Sequence, residues 1–333
     1  MPGLLSTVLG QPGALETLRR SVRTGRVHHA YLFDGPDGVG KERAAWGFAQ
    51  ALVCETRAPN ESEACGICTA CVRAIPRPGE ATARHPDVTV LERGLYDPAA
   101  IGRRAPETQD LSVDQVRTLV LAHAAFPPYE GRAKIFLVRR ADELSVTAAN
   151  ALLKTLEEPG DRTYFVLLSA AAETLLPTVR SRTQRLRFGL LAEEVLVELL
   201  VKSGVAPDRA AAVAPLSRGS MSQALALSDS DASEQRDAFV SAVLSSLKAR
   251  DLGPALDVAE DAKKMDRQSL LGMLKALALA LGAEGRSAAA QPGRRAEVAC
   301  TRYSLCLAAS QEIEANASAQ LAIESLLIRM RSL

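Results

Sequence analysis

Two groups of residues in this sequence have types and spacings that can do chemistry. Cys54, Cys65, Cys68 and Cys71 follow the pattern C-x10-C-x2-C-x2-C. Thiolates two residues apart in a tight turn can share one tetrahedral ion, and a cysteine at a helix end can close the shell. Four sulfurs with no open position describe a structural zinc rather than a catalytic one. The alternatives are four free, reactive thiols in a polar loop and a redox C-x-x-C, which needs only two of them. The second group is Gly35-Pro-Asp-Gly38-Val-Gly40-Lys41-Glu42. Glycines let successive backbone N–H groups turn toward phosphate oxygens, the following helix N-terminus adds positive potential, and Lys41 reaches the outer phosphates. In a working loop of this kind the next residue is Ser or Thr, whose hydroxyl is a magnesium ligand. Glu42 is longer and negatively charged, so the loop reads as an altered nucleotide site. An ordinary glycine turn is the plainer alternative.

These groups need a strand before the glycine loop and a helix after it. The run His29–Phe33 supplies the strand, and a helix is expected from the loop to about Cys54. Further on, the apolar runs Ile135–Val138 and Tyr164–Leu168 flank a helix on which Ala149, Leu152, Leu153 and Leu156 recur at three and four. Strand, helix, strand is the crossover of a parallel sheet. The fold class is therefore α/β, a parallel sheet flanked by helices. Val88, Val90 and Leu91 mark another strand, and Thr183–Phe188 a fifth. An amphipathic helix is expected over Ala14–Thr24. His85-Pro86-Asp87 reads as a capped turn and residues 93–110 as an exposed loop. Ser112 and Gln115 form a capping box for a helix through Ala125, which Pro127-Pro128 stops. Asp142 and Glu143 read as N-terminal acids of the helix before Pro159-Gly160. From Leu190 the pattern is helical, with short helices punctuated by Pro207, Pro215 and Gly219. The polar run Ser228–Ser233 reads as a linker. Beyond it comes a helical domain with a break over Gly282–Gly293 and a last helix over Ala315–Arg329, whose apolar face is wide. The expected boundaries are 1–189, 190–230 and 231–333.

A chain of 333 residues, 47% hydrophobic and 24% charged, is long enough for two or three globular domains. No apolar run approaches the roughly 18 to 20 residues that span a bilayer, and the start lacks a basic segment followed by an apolar one. A cytoplasmic protein with no membrane contact is expected. Forty basic against 39 acidic residues leave no global field for nucleic acid. The crowding of four of the six cysteines suits a reducing compartment. Cys300 and Cys306, in an apolar helical stretch, are expected to be small buried hydrophobes. The sequons at Asn60 and Asn316 mean nothing without a secretion signal.

The run Asn150-Ala-Leu-Leu-Lys-Thr-Leu-Glu-Glu-Pro159, followed by Ser181-Arg182, resembles the bacterial clamp-loader AAA+ subunits, most of all their delta-prime branch. Packing accounts for the apolar part of that helix but not for Asn150, Lys154, Glu157 and Glu158. The cysteine spacing and His85-Pro86-Asp87 are similar to the same family. The resemblance implies an AAA+ domain of the P-loop NTPase kind with a zinc insertion, a three-helix lid and an all-α collar domain. It implies an adenine pocket beside Val8–Gln11, and nucleotide contacts, if any, from Gly35, Gly38, Gly40 and Lys41. Hydrolysing members end the third strand in an Asp-Glu pair, whose places, counted back from Asn150, are held here by Arg139 and Arg140. A one-turn slip that restored Asp142 and Glu143 to that role is the alternative. Motor subunits also carry a phosphate-sensing arginine after Gly-Ser-x, where this chain has Ser222. Three departures argue against ATP hydrolysis by this chain.

In that family the arginine at Arg182 crosses a subunit boundary as an arginine finger, a catalytic part given in trans. Thr183 stands where the family usually has Cys. A surface arginine or a helix-end salt bridge is the plainer reading of the residue. The implied partners are other clamp-loader subunits (gamma/tau and delta), the beta sliding clamp and primed DNA, in a hetero-oligomer of the DNA polymerase III holoenzyme. Two other readings are an ATP-hydrolysing motor of the gamma/tau type, against which Glu42, Arg139 and Arg140 stand, and a zinc-dependent DNA-binding module. For the latter, Arg57, Arg73, Arg77 and Arg84 are scattered rather than arranged as a stripe.

Overall fold

The five expected strands form and pair in parallel, in the order β2-β3-β4-β1-β5. In the computed structural model of the chain, residues 3–104, 110–130, 132–249, 251–265, 267–288, 294–314 and 317–333 are described. The strands are β1 (Ala30–Asp34), β2 (Val88–Leu91), β3 (Lys134–Val138), β4 (Thr163–Ser169) and β5 (Gln184–Arg187). Alternation divides their side chains between two apolar layers. Tyr31, Phe33, Ile135, Leu137 and Val166 pack with α1 (Pro12–Thr24) and α2 (Lys41–Val53). Leu32, Phe136, Val138, Phe165 and Leu167 form the opposite layer. Covered on both faces, β3 is buried at every position, which is why it reads as a continuous apolar run.

The short α3 (Thr69–Arg73) follows the first cysteines, and the opposite layer is closed by the next three helices in the chain. α4 runs from Val113–Val116 through a π turn at Arg117–Leu121 to Ala122–Ala124. α5 (Val146–Glu157) and the short α6 (Pro177–Arg180) complete the layer. α5 starts at Ser145, whose hydroxyl accepts from Ala148 N at 3.1 Å. It buries Ala149, Leu152 and Leu156, as its spacing predicts. Asp142 and Glu143 do not open α5. They form a separate 3-10 turn, Ala141–Glu143, because Ser145 already supplies the cap.

Two local expectations change. The stretch 93–110 is not simply exposed: Pro98–Ile101 forms a 3-10 turn capped by Asp97, and Ile101 is buried. Residues 105–109 lie outside the described residues. The Ser112 half of the capping box forms, with Ser112 accepting from Gln115 N at 3.3 Å. The Gln115 amide ties α4 to the end of β2, accepting from Glu92 N at 2.9 Å and donating to Glu92 O at 3.0 Å.

Lys134 opens β3 with a buried side chain whose Nζ donates to His123 O (2.9 Å), Phe126 O (3.0 Å) and Pro127 O (3.2 Å). It thus satisfies carbonyls left over where α4 ends. Lys134→Met should lower stability by about 1 to 3 kcal/mol, since these acceptors lose their donor. A lower denaturant midpoint at unchanged slope checks it.

The chain forms two compact units, Met1–Leu225 and Ala226–Leu333. The first also contains α7 (Glu193–Lys202) and α8 (Pro207–Val213), and α9 (Met221–Ser228) begins in it. The second is helical: α10 (Ser230–Ser246), α11 (Gly253–Lys263), α12 (Arg267–Ala288), α13 (Arg295–Glu314) and α14 (Ala319–Arg331). Its core includes Phe239, Val243, Leu274, Leu277, Ile323 and Leu327. The polar run Ser228–Ser233 is not an extended linker, because α10 starts at Ser230 and is anchored by Phe239 and Val243. The break expected from Gly282 is absent as far as Ala288, and α12 passes through Gly282 and Gly285 beside Tyr303 and Ala299 of α13. Residues 289–293 are outside the described residues, as are 315 and 316 ahead of the last helix. Cys306 is buried as expected, whereas Cys300 is exposed on α13. No helix among the described residues is long and apolar enough to cross a membrane.

Candidate functional site

β1 delivers the chain at Asp34 to the glycine loop, and α2 leaves it at Lys41. A side chain at Gly35 would begin 2.2 Å from Phe188 O, so the loop can pass here only without one. Gly38 has φ +77°, and a side chain on it would begin 2.3 Å from the Ser222 hydroxyl. Ser220 Oγ donates to Asp37 O (2.8 Å) and Met221 N to Gly38 O (2.9 Å), so the start of α9 holds the loop from outside. Gln11 holds it from the other side, its Nε2 donating to Val39 O (3.1 Å) and Gly189 O (2.7 Å). Lys41 is buried. Its Nζ donates to Gly35 O and to Pro36 O (2.7 Å) and lies 3.6 Å from Asp37 Oδ1. Burial lowers its pKa, and Asp37 chiefly opposes that shift. The loop borders a cavity of about 1040 Å³ that also touches Thr7, Asp142 and Ser169. Cavity, left-handed glycines and an inward lysine fit a phosphate chain.

The neighbouring positions do not fit a metal. Arg139, just past β3, is ion-paired with Glu42 and with Glu92 (2.8 Å). Its guanidinium carbon lies 5.7 Å from the centre of the Trp46 ring. Trp46 Nε1 in turn donates to Glu42 Oε1 at 3.1 Å. Arg140 sits at φ +48° in the left-handed region and pairs with Glu143 at 3.0 Å. The Ser222 hydroxyl lies 3.0 Å from the Ser220 hydroxyl.

Arg182 is remote from this cavity. It follows α6 and precedes β5, whose Gln184 is level with Tyr31 of β1, and the His29 ring lies against the backbone at Arg182. Arg182 therefore sits at the edge where the strands begin, and the glycine loop follows where β1 ends. β1 separates them by roughly 16 Å. The arginine is half-buried, donates to Glu157 Oε1 (2.7 Å from Nε) and to Thr178 O (2.9 Å), and so forms the helix-end salt bridge that its residue type allows. Glu157 belongs to the signature helix, and this contact explains a residue that packing does not.

The four cysteines converge. Cys54 caps the C-terminus of α2, Cys68 caps the N-terminus of α3 and Cys71 lies within α3. Their sulfurs all lie within 4.8 Å of one another, and those of Cys65 and Cys71 are 3.8 Å apart. The last value matches the separation of about 3.8 Å that tetrahedral metal–sulfur bonds of about 2.3 Å produce. Cys65 N donates to Cys54 Sγ (3.4 Å), Cys68 N to Cys65 Sγ (3.3 Å) and Cys71 N to Cys68 Sγ (3.4 Å). Donors aimed at sulfur favour thiolates. The Cys65 thiol is lowered to about 6, chiefly by its hydrogen bond with Thr56, whereas burial pushes Cys71 up. A dication would deprotonate both. Among the described residues this is the group placed to hold a metal ion. The nearby arginines are committed: Arg57 to Ala51 O and Glu61 O (2.9 Å each), Arg73 to Glu130 and Arg84 to Glu80. They do not form a free basic stripe.

Residues 10–191 match the family described as "DNA polymerase III, delta subunit", more than half of the chain. The chain belongs to that family. Among its relatives, the DNA polymerase III subunit delta' of Pseudomonas aeruginosa is 36% identical over 226 residues, 66% of this chain and 62% of the relative. The DNA polymerase III subunit gamma/tau of Mycobacterium bovis is 33% identical over 202 residues, 60% of this chain and 31% of the relative. The chain thus spans about a third of the gamma/tau relative and about three-fifths of the delta' one. A solved DNA polymerase III, gamma subunit-related protein from Thermotoga maritima matches 95% of this chain and 98% of its own, at 17% identity and a TM-score of 0.55, and so shares the fold.

Within this member of the family, sequence reasoning located the glycine loop, Arg139, Arg182 and the cysteines, but missed Glu92, Trp46 and Ser220. Glu92 had a usable signal: it follows β2, beside the end of β3, on the side of a parallel sheet where sites form. Asp142, expected on a helix, instead lines the Lys41 cavity and accepts from Ala170 N at 3.2 Å.

Proposed function

We propose that this chain is a delta-prime-like clamp-loader subunit of the DNA polymerase III holoenzyme, a non-hydrolysing stator that gives Arg182 to ATP on a neighbouring subunit. The observation that carries this reading is the pairing of Glu42 with Arg139. The two positions that need a hydroxyl and a carboxylate for magnesium hold a carboxylate and a guanidinium that neutralise each other. Arg182, at the opposite edge of the sheet, is then the chain's contribution to hydrolysis. In this reading Cys54, Cys65, Cys68 and Cys71 hold a structural zinc. Residues 1–189 are the AAA+ domain, 190–230 a lid and 231–333 a collar that joins gamma/tau and delta subunits. The sliding clamp and primed DNA are reached through that cytoplasmic complex.

A motor of the gamma/tau type has in its favour the Asp142 carboxylate at the Lys41 cavity and the likeness to gamma/tau relatives. ATP turnover by the purified chain with magnesium decides between the two. The stator gives no turnover above that of its Lys41→Ala variant. Robust turnover abolished by Lys41→Ala makes this chain a motor.

A further inference from the structure

A metal in a P-loop is held by the residue after the lysine and by a carboxylate near the end of an adjacent strand. In this chain those positions are Glu42 and Arg139, and they touch each other. The charge order is inverted: an acid stands where a neutral hydroxyl belongs, and a cation where an acid belongs. We infer that the Arg139 guanidinium is the resident cation of this cavity, that magnesium is excluded from it, and that a nucleoside polyphosphate binds Lys41 and the glycine loop without a metal ion.

Arg139 is built in rather than resting on the surface. Its side chain is 14% exposed and is held by two carboxylates from different elements, Glu42 of α2 and Glu92 after β2. Its backbone N–H continues the sheet by donating to Leu91 O at 2.9 Å. The left-handed turn at Arg140 separates the two arginines, one paired with Glu42 and Glu92 and the other with Glu143. The Nε of Arg139 is buried without a hydrogen-bond partner, so this guanidinium keeps an unused donor.

The same arrangement leaves a divalent ion poorly supplied with oxygen. Small hard cations need several oxygens in near-octahedral array. Glu42 and Glu92 are bound to Arg139, Asp37 lies beside Lys41, and Asp142 accepts from Ala170 N. A dication placed among them would face Arg139 and Lys41 at close range. A phosphate chain needs no such oxygen shell, and Lys41 and Arg139 border the same cavity.

The test uses the full chain and the nucleotides ADP and ATP, with affinity measured by calorimetry in EDTA and in excess magnesium. In the native chain excess magnesium should never strengthen binding and should weaken it, most for ATP, because nucleotide complexed with magnesium in solution is withheld from a site that excludes the ion. Lys41→Ala should abolish binding in both conditions. The double variant Glu42→Ser/Arg139→Asp should bind about tenfold or more tightly with magnesium than without it. Arg139→Lys, which keeps the cation and disturbs the fold least, should likewise gain no affinity from magnesium. Affinity of the native chain that rises with magnesium overturns the inference, and so does the absence of nucleotide binding in both conditions. The readout is on the isolated chain, so neither failure touches the role proposed for Arg182, which is read in the assembled complex.

Discussion

A reconstituted loader that carries Arg182→Ala in this chain should hydrolyse ATP at the adjoining site about 10³ to 10⁵ times more slowly, the range an arginine finger supplies. The size of the effect separates a role in transition-state stabilisation from a role in folding. Arg182 and Glu157 form a partly exposed ion pair, with side chains 32% and 48% exposed. Such pairs contribute about 0.2 to 1 kcal/mol, so the variant chain should fold and melt almost as the native one does. Arg182→Lys keeps the charge but loses the planar fork, and most of the rate should be lost with it. Glu157→Gln removes the carboxylate that holds the guanidinium within the chain, and should change the rate far less. Lys41→Ala in this chain should leave loader turnover unchanged. Single-turnover ATP hydrolysis on clamp and primed DNA is the measurement, and a native rate for Arg182→Ala would remove the finger from the reading.

The second large effect belongs to the cysteines. Purified chain should contain about one zinc ion, and Cys71→Ser should lose it together with the fold of the segment around α3. Binding by structural zinc in small peptide modules is worth about 10 to 16 kcal/mol, more than the stability of a typical domain. Cys71 is buried, and its carbonyl accepts from Gln50 Nε2 at 3.1 Å, so the loss reaches α2 and the core behind the glycine loop. Thiol labelling gives a direct count. In the native chain exposed Cys300 should react quickly while buried Cys306 does not. After strong chelation the four module thiols should join Cys300. A metal-free chain whose four thiols stay protected would contradict the zinc reading.

Much of this molecule can be read from its letters because the causes are local. β1, β3 and β4 are buried on both faces and therefore write themselves as unbroken apolar runs. The glycine loop and the cysteine group announce themselves by spacing, since their geometry closes within a few residues. The parts that resisted reading depend on distant partners. Glu42 and Arg139 are 97 residues apart, and Glu92 and Arg139 are 47 apart. Each residue can be recognised as misplaced, but nothing local says that the misplacements meet. Glu157 and Arg182, 25 residues apart, are another such pair. At Ser230 the polar letters favour a linker, yet burial of Phe239 and Val243 further along makes a helix of them. Cys300 fails for a similar reason, because α13 is long enough to carry apolar letters on an exposed side.

The strand order also fixes a timetable for synthesis. β1 is made first, yet its sheet neighbours are β4 and β5, which are made last. β1 ends at residue 34 and β4 begins at residue 163. At the usual pace of translation, roughly ten seconds separate them. During that interval β2 and β3 can pair, since they are neighbours in both chain and sheet. β1, with Tyr31, Leu32 and Phe33, has no strand to join. The nascent chain therefore carries an inner strand of its sheet without strand partners and with its Leu32 face open, a natural binding site for ribosome-associated chaperones, until β4 emerges and takes it up.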